Sequence, residues 1–521
     1  MIKTGFVNLE RNMSGNGNEV IEKRQKLMIL LALTACLSLL LLDISIVPVA
    51  LPTIRKQLHF SNLMTQWVAN TFLLVNASLV FAGGRLSDIF GHRKLFCLGL
   101  IVFGGGLIIA ASAQAGSILL FARFVQGLGG AMMGPASYAI LYDIFPLKER
   151  GRAVGTMVGI SSIFVSIGPF IGGVFAECFS WRFIFLLQFV FVFAGLFLAL
   201  KFIPKFKGRK ERFDFPGFFA LTFALGTLTL ALMQGREWGW TSPSIMTLFL
   251  LSFLFFILLT LTNRISSQPF INISLLKSPL FLRGLLLLFS LRFIMVLSVL
   301  MPLFLQMALN LSPIEAGLSM MAQTTPVIFC GPFSGYLSDN FGPRQPALTG
   351  YLFITTALFG FAYFALHPHI VGFWIFLLMM GSGTSLIMTP LGTSTLSTLK
   401  GVRNGEAIGL YNSMRYTGGA LGLTIMCTLL NNISYSVFKR PLLANPLFHG
   451  VNLNRLWLRL GDGLAMPLEN EAAYGLFISG TTVSFASICM ILGCLSFLSF
   501  FVARGFFRKF ELIRQEKIIE G

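Results

Sequence analysis

The sequence is poor in charge. Only 11% of its 521 residues are charged, and just 20 are acidic. A soluble globular chain carries about 25% charged residues, so the composition excludes an ordinary water-facing surface. Seven cysteines occur, none in a C-x-x-C pair and most inside apolar runs. That pattern speaks against a zinc or disulfide framework and for small membrane-packed side chains. None of the five histidines lies in the middle of an apolar run, which argues against a histidine proton relay. No G-x-x-x-x-G-K-[ST] segment occurs, so ATP-driven transport has no nucleotide site in this chain. Metal-ligand spacings, nucleophile constellations and any extramembrane stretch large enough for a soluble catalytic domain are also missing. The chain is therefore not expected to be an enzyme or to hold a metal or cofactor. A channel is disfavoured because no filter-like ring is evident.

What fills the space is apolar: 55% of residues are hydrophobic, mean hydropathy is +0.79, and phenylalanine alone supplies 55 residues. The net charge of +19 would suggest nucleic acid in a soluble chain. Here the basic residues sit in short loops beside apolar runs, so they report topology and contact with anionic lipid, not nucleic acid. A spanning helix needs about 20 apolar residues. By that measure fourteen spans are expected, at 27–50, 65–83, 95–113, 118–141, 153–175, 183–203, 215–233, 244–263, 284–308, 316–337, 346–366, 370–392, 405–430 and 474–503. The first begins after a polar arm and is too long for a signal-peptide core. An even count puts both termini on one side, together with the basic loops at Arg85–Lys94, Lys148–Arg152, Lys201–Arg212, Arg264–Arg283, Arg344 and Lys400–Arg403. The positive-inside bias makes that side the cytoplasm. The expected location is a cell membrane, the inner membrane in a Gram-negative source.

A charged, glycine-framed segment occurs twice. Gly84-Arg85-Leu86-Ser87-Asp88-Ile89-Phe90-Gly91-His92-Arg93 matches Gly335-Tyr336-Leu337-Ser338-Asp339-Asn340-Phe341-Gly342-Pro343-Arg344 at Gly, Leu, Ser, Asp, Phe, Gly and Arg, 251 residues apart. A repeated segment in two halves of a membrane chain predicts a duplicated bundle with a moving seam. Six spans with their loops fill roughly 200 residues at this spacing, so the surplus is read as an inserted hairpin. The expected division is a cytoplasmic arm at 1–26, a six-helix bundle at 27–204, a basic linker and two-helix insertion at 205–283, a second six-helix bundle at 284–503, and a basic tail at 504–521. The second bundle carries an extracytoplasmic segment at 431–473, the place where a periplasmic adaptor would make contact.

On these residues the chain resembles the major facilitator superfamily, in its fourteen-helix drug:proton antiporter branch. Four segments carry the resemblance. The repeated segment is similar to the superfamily's loop between helices two and three. In it Gly84 and Gly91 are expected to let backbones turn and approach, Asp88 to act as a latch, and Arg85, Arg93 and Lys94 to hold the loop inside, with Asp339 and Arg344 as a weaker counterpart in the second copy. Arg123, in Leu120-Phe121-Ala122-Arg123-Phe124-Val125-Gln126-Gly127, resembles the fourth-helix arginine motif. Gly159 with Gly168-Pro169-Phe170-Ile171-Gly172-Gly173 resembles the antiporter motif. Its physical content is close helix packing and a bend, while antiport comes from the resemblance. Leu42-Asp43-Ile44-Ser45-Ile46-Val47-Pro48-Val49-Ala50-Leu51-Pro52 resembles the first-helix signature, with Pro48 where Asn is usual. Phe72 also stands for a usual Tyr, and Gln188 and Val190 for Asn and Pro. The resemblance implies a secondary active exporter working by alternating access: substrate out, proton in.

Ionisable groups inside spans mark function. Asp43 and Arg123 are expected at depths within about 5 Å of each other, so they pair across the bundle. Asp43 is the candidate proton carrier, tuned by Arg123; a static buried pair is the alternative. Arg292 lies near mid-bilayer, about 14 Å from its helix end. It points either to an anionic substrate or to a structural pair with a residue such as Glu406. Arg415 is a further gate or structural element. Asn70, Asn76, Gln126 and Gln306, supported by Trp67 and Phe72, are cavity candidates or interhelical hydrogen-bonding groups. The leading function is export of a small amphipathic molecule. The rival is export of an endogenous anionic metabolite such as a carboxylate siderophore, and a non-transporting membrane sensor or scaffold stands behind both.

Overall fold

The computed structural model describes residues 23–145, 147–206, 208, 214–266, 270, 273–398, 404–444 and 471–519, with 453, 456 and 457 besides. The arm at 1–22 and most of the basic linker and of the 431–473 segment lie outside the described residues. The side chains of Asp339 and Glu406 do so as well. Among the described residues there is no strand.

The helices are α1 (Lys23–Leu58), α2 (Asn62–Phe90), α3 (His92–Ala111), α4 (Gly116–Ile144), α5 (Leu147–Cys178), α6 (Arg182–Phe202), α7 (Phe215–Trp238) and α8 (Pro243–Ile265). They continue as α9 (Pro279–Ile294), α10 (Leu297–Ala308), α11 (Pro313–Thr324), α12 (Pro326–Phe341), α13 (Arg344–Leu366), α14 (Ile370–Ser397), α15 (Asn404–Ala444) and α16 (Glu471–Ile519). Thirteen stretches are long and apolar enough to cross a membrane, by length and composition among the described residues. The chain is an integral multi-pass membrane protein with an all-helical fold.

The expected tenth span, 316–337, is absent from those thirteen because it is broken. Pro326 has no N–H to give to the turn before it, and the segment divides into α11 and α12, twelve and sixteen residues long. The expected ninth span starts earlier than drawn, at Pro279, capped by Ser278, whose side chain accepts from Phe281 N. It is interrupted at Met295–Val296, where the chain closes tighter i→i+3 bonds such as Ser298 N to Met295 O, 3.0 Å.

The expected loop at 84–94 is also corrected. Leu86 to Phe90 continue α2, and Gly91 alone, at φ +93°, turns the chain into α3. The second copy does the same at Gly342, φ +85°, before α13. One residue in the left-handed region suffices, and glycine adopts it without steric cost.

Two large apolar cores form, and a smaller cluster gathers Phe438, Trp457 and Phe477. One gathers side chains from α1 to α6, among them Trp181, Phe103 and Leu51. The other gathers α9 to α11 and α13 to α16, with Tyr351, Phe361 and Phe485; α7 and α8 add Ala220, Leu221 and Leu259, and α2 adds Val80 and Ala82. α8 buries only Ile245, Ser252 and Leu259, one residue every two turns, so nearly all its surface suits acyl chains. Asp214 ties down the base of this hairpin, accepting from Gly217 N at 3.0 Å and Phe270 N at 2.8 Å.

Candidate functional site

Helix direction divides the molecule into two faces. The terminus-bearing face carries the start of α1, the α2–α3 and α12–α13 turns and the end of α14. The opposite face carries the α1–α2, α5–α6 and α10–α11 turns.

Inside the first core, Asp43 on α1 is fully buried and Arg123 on α4 is 3% exposed. Arg123 Nη1 donates to both carboxylate oxygens of Asp43, at 2.9 and 2.8 Å, and to Gln126 Oε1 at 2.7 Å. Its Nε donates to Val68 O at 3.4 Å, and the guanidinium lies 4.9 Å from the Phe72 ring centre. Phe72 meets Phe103 edge-on at 6.4 Å. The ion pair is thus walled by aromatic faces with no access for water in this conformation. Removing either charge from such a site strands the other in low dielectric.

The amides expected to line a cavity are engaged with protein instead. Asn70, Asn76 and Gln126 are fully buried. Asn70 Nδ2 donates to Thr424 Oγ1 on α15 at 2.6 Å, Asn76 Nδ2 to Phe72 O at 2.8 Å, and Gln306 Nε2 to Val49 O at 3.0 Å. Phe72 is 1% exposed, and Trp67 is half-buried on α2. A single amide in an apolar span finds a protein acceptor because hydrocarbon offers none. In this conformation Asn70 and Gln306 join helices, whereas Asn76 and Gln126 bond within their own helices.

The two cores meet along a seal at the opposite face. Glu177 accepts from Ile314 N, in the first turn of α11, at 3.0 Å; a carboxylate there also meets the positive end of the helix. Ser166 and Thr325 share a hydroxyl bond at 2.8 Å, and Thr324 Oγ1 donates to Ser166 O at 3.1 Å. Gly173 packs against the Pro313 carbonyl, and Gly317 against that of Pro169. Gly172 and Gly168 face Ile46 and Ser45 of α1. The stretch from Gly168 to Gly173 is thus where α5 grips both α1 and α11, and α5 runs on unbroken through Pro169. Gly159 differs: nothing lies within 4 Å of a Cβ there, so its expected role in close packing is corrected.

At the terminus-bearing face, His92 organises the first repeat. Its Nδ1 lies 2.7 Å from Ser87 Oγ, and its Nε2 lies 3.3 Å from Asp143 and 4.0 Å from Asp88. Arg93 donates to Leu200 O at 2.6 Å and so fastens α3 to the end of α6. Arg85 is buried, and Arg344, at the start of α13, is half-buried. The close approach assigned to Gly84 belongs to Gly83, whose Cβ would collide with the Ala131 carbonyl. Gly84 has its nearest neighbour, Pro135 Cβ, at 3.8 Å. The two glycines are adjacent in sequence, and only the rotation of α2 against α4 separates them.

Sequence reasoning missed the surroundings of two further arginines within the spans, both half-buried. Arg292 on α9 and Arg415 on α15 lie within electrostatic reach of each other and of Tyr411 and Tyr416; Arg415 also reaches Tyr138 of α4. The signal available was the scarcity of tyrosine, nine residues against 55 phenylalanines, with several of the nine in spans near an arginine.

A family model described as the Major Facilitator Superfamily matches residues 33–423. The chain is 28% identical over 410 residues to the multidrug resistance protein Stp of Mycobacterium tuberculosis (strain CDC 1551 / Oshkosh), covering 78% of this chain and 76% of that one. It is 27% identical over 413 residues to the tetracenomycin C resistance and export protein of Streptomyces glaucescens, covering 78% and 77%. Its fold is similar to the crystal structure of a bacterial homologue of the human lysosomal transporter Spinster, inward-facing and unoccupied. The TM-score is 0.62 at 17% identity, covering 94% of this chain and 99% of that one. With two helical cores, a seal between them and the family match over most of its length, the chain belongs to the Major Facilitator Superfamily of secondary transporters.

Proposed function

We propose that this transporter exports small amphipathic molecules from the cytoplasm in exchange for protons. The observation that carries the reading is the buried Asp43–Arg123 pair, among the described residues the one carboxylate deep within the spans and its partner. Shut from solvent, the pair has no route for a proton, and a rearrangement that opens it to water on one side gives the carboxylate that route, which is what coupling requires. Export is the direction named for the Streptomyces relative, and resistance is named for the Mycobacterium one.

In this reading residues 27–204 and 284–503 rock against each other, the hairpin within 205–283 rides on the second half, and both termini lie in the cytoplasm, where basic loops meet anionic lipid. The seal from Ser166 to Glu177 then closes the outer side. Gly168, Pro169, Gly172 and Gly173 are its hinge surface, and Ser87, His92, Asp143 and Asp88 brace the cytoplasmic ends of α2, α3 and α4 within the first half.

The test is efflux from proteoliposomes under an imposed pH gradient, comparing a lipophilic cation, a neutral drug and a polycarboxylate. Accumulation of at least one of them that collapses with a protonophore is expected. Transport indifferent to the gradient for all three removes the proton-coupled reading.

A further inference from the structure

Among the described residues, three arginines and one carboxylate lie deep within the spans. Asp43 and Arg123 neutralise each other, which leaves Arg292 and Arg415. Among the described residues neither has an ion-pair partner. Glu406, the acid expected to serve Arg292, stands in the first turn of α15, twelve residues before Gly418. A Cβ at Gly418 would lie 3.3 Å from Arg292 Cβ, so Glu406 sits about 18 Å along the axis from that level. Among the described residues, the middle of the molecule thus carries two uncompensated positive charges.

Their surroundings are shaped. Arg415 Nη2 donates to Tyr416 OH at 3.0 Å, and its guanidinium lies 4.8 Å from the Tyr416 ring centre. Those contacts hold the fork in place, yet Arg415 Nε is buried with no hydrogen-bond partner. Arg292 closes α9 immediately before the interruption at Met295. Both arginines lie deep inside the protein and keep some accessible surface, so they border an internal space. Tyrosines lead to it. Tyr138 lies about 9 Å from the end of α4 and Tyr411 about 10 Å from the start of α15, while Arg415 and Arg292 lie about 16 and 20 Å from their helix ends at the same face. The path from the terminus-bearing face is therefore aromatic first and cationic at its depth, with α4 contributed by one core and α9 and α15 by the other.

We propose that Arg292 and Arg415 together bind the carboxylate of the transported substrate, whose aromatic body lies along Tyr138 and Tyr411, so that the substrate class is amphipathic aromatic anions and not lipophilic cations. The proposal rests on the export reading above for its transport step. Two desolvated guanidiniums repel each other, and an anion between them relieves that cost while forming charge-assisted bonds. A lipophilic cation meets a net charge of two in the same place and finds no free carboxylate to offset it.

The experiment uses the full chain in liposomes and a matched set of probes: a naphthalene carboxylate, its amide and its trimethylammonium counterpart. Binding is measured at equilibrium and transport under a pH gradient. The carboxylate is expected to bind at least tenfold more tightly than the amide, and the cation not to bind. Arg292→Gln and Arg415→Gln should each weaken carboxylate binding tenfold or more while leaving the amide unchanged, and Arg292→Lys should recover part of the loss. Monodispersity of each variant by size exclusion separates misfolding from lost recognition. Equal binding of carboxylate and cation, or carboxylate binding indifferent to both Gln variants, overturns the proposal. Carboxylate binding without gradient-driven movement of any probe refutes the export reading and leaves the anion site standing. Pure phosphatidylcholine is compared with phosphatidylglycerol-containing liposomes to identify the anion. Equal affinities assign the pair to the free carboxylate. Competition by anionic lipid that the Gln variants abolish assigns it to a headgroup and overturns the substrate assignment.

Discussion

Replacing Asp43 by asparagine separates the structural from the coupling role of the buried pair. The substitution keeps the shape and one acceptor oxygen but strands Arg123, which retains Gln126 Oε1 and the Val68 carbonyl. Breaking a buried pair from one side costs about 3–5 kcal/mol, and the retained acceptors place Asp43→Asn near the lower end. Removing both charges in Asp43→Asn/Arg123→Gln should recover most of that loss, since neutral replacements of buried pairs are often no less stable. Coupling should behave oppositely. One proton per substrate and one unit of pH difference supply about 1.4 kcal/mol, a tenfold gradient. Wild type should reach that gradient, and both Asp43→Asn and the double variant should reach none, while substrate counterflow, which needs no net proton movement, persists. Thermal unfolding in detergent and gradient-driven efflux read the two quantities on the same preparations. Asp43→Asn protein that still builds a tenfold gradient refutes the carrier assignment. A double variant that regains coupling would show that the stranded charge, not the missing carboxylate, had stopped transport.

Further expectations concern charge movement, the seal and the turn. If an anion leaves as a proton enters, two charges cross in the same sense per cycle, worth about 4.6 kcal/mol at 100 mV; potential-clamped liposomes should show transport rising with internal negative potential, whereas exchange of a monovalent cation for a proton would show none. Gly173→Val should block closure against Pro313 and lower transport by more than about tenfold, as overpacking at a backbone contact costs about 1–3 kcal/mol. Gly159→Ala, in open space, should stay close to wild type, and equal loss in both would remove the seal assignment. Gly91→Ala puts a side chain at φ +93° with Phe206 O 2.5 Å from its Cβ, a strain of about 1–3 kcal/mol that should appear as a lower unfolding temperature.

Much of the architecture was legible in the sequence, and the reason is one-dimensional. Apolar run length measures bilayer thickness, and counting residues from a span's end gives depth along the membrane normal. That is how Asp43 and Arg123 were expected at one level before the helices carrying them were seen to touch. Gly84 and Gly83 show where such counting stops. They share a depth, but the tight contact with Ala131 falls on Gly83 because of the angle at which α2 faces α4. The breaks at Met295 and Pro326 were hidden for a related reason. Hydropathy is continuous across them, while the hydrogen-bond ladder is not.

The sequence by itself determined the membrane class, the family resemblance, the repeated segment and the depth of each charge, because composition and spacing act along the chain. The tertiary structure alone decided which groups at a given depth share a space. Helix rotation and tilt turned Asn70 and Gln306 into contacts between the halves, joined Gly173 to Pro313, and left Arg292 and Arg415 together with tyrosines and, among the described residues, without an acid. Azimuth around a helix is set by packing against neighbours far away in sequence, and no single span carries that information.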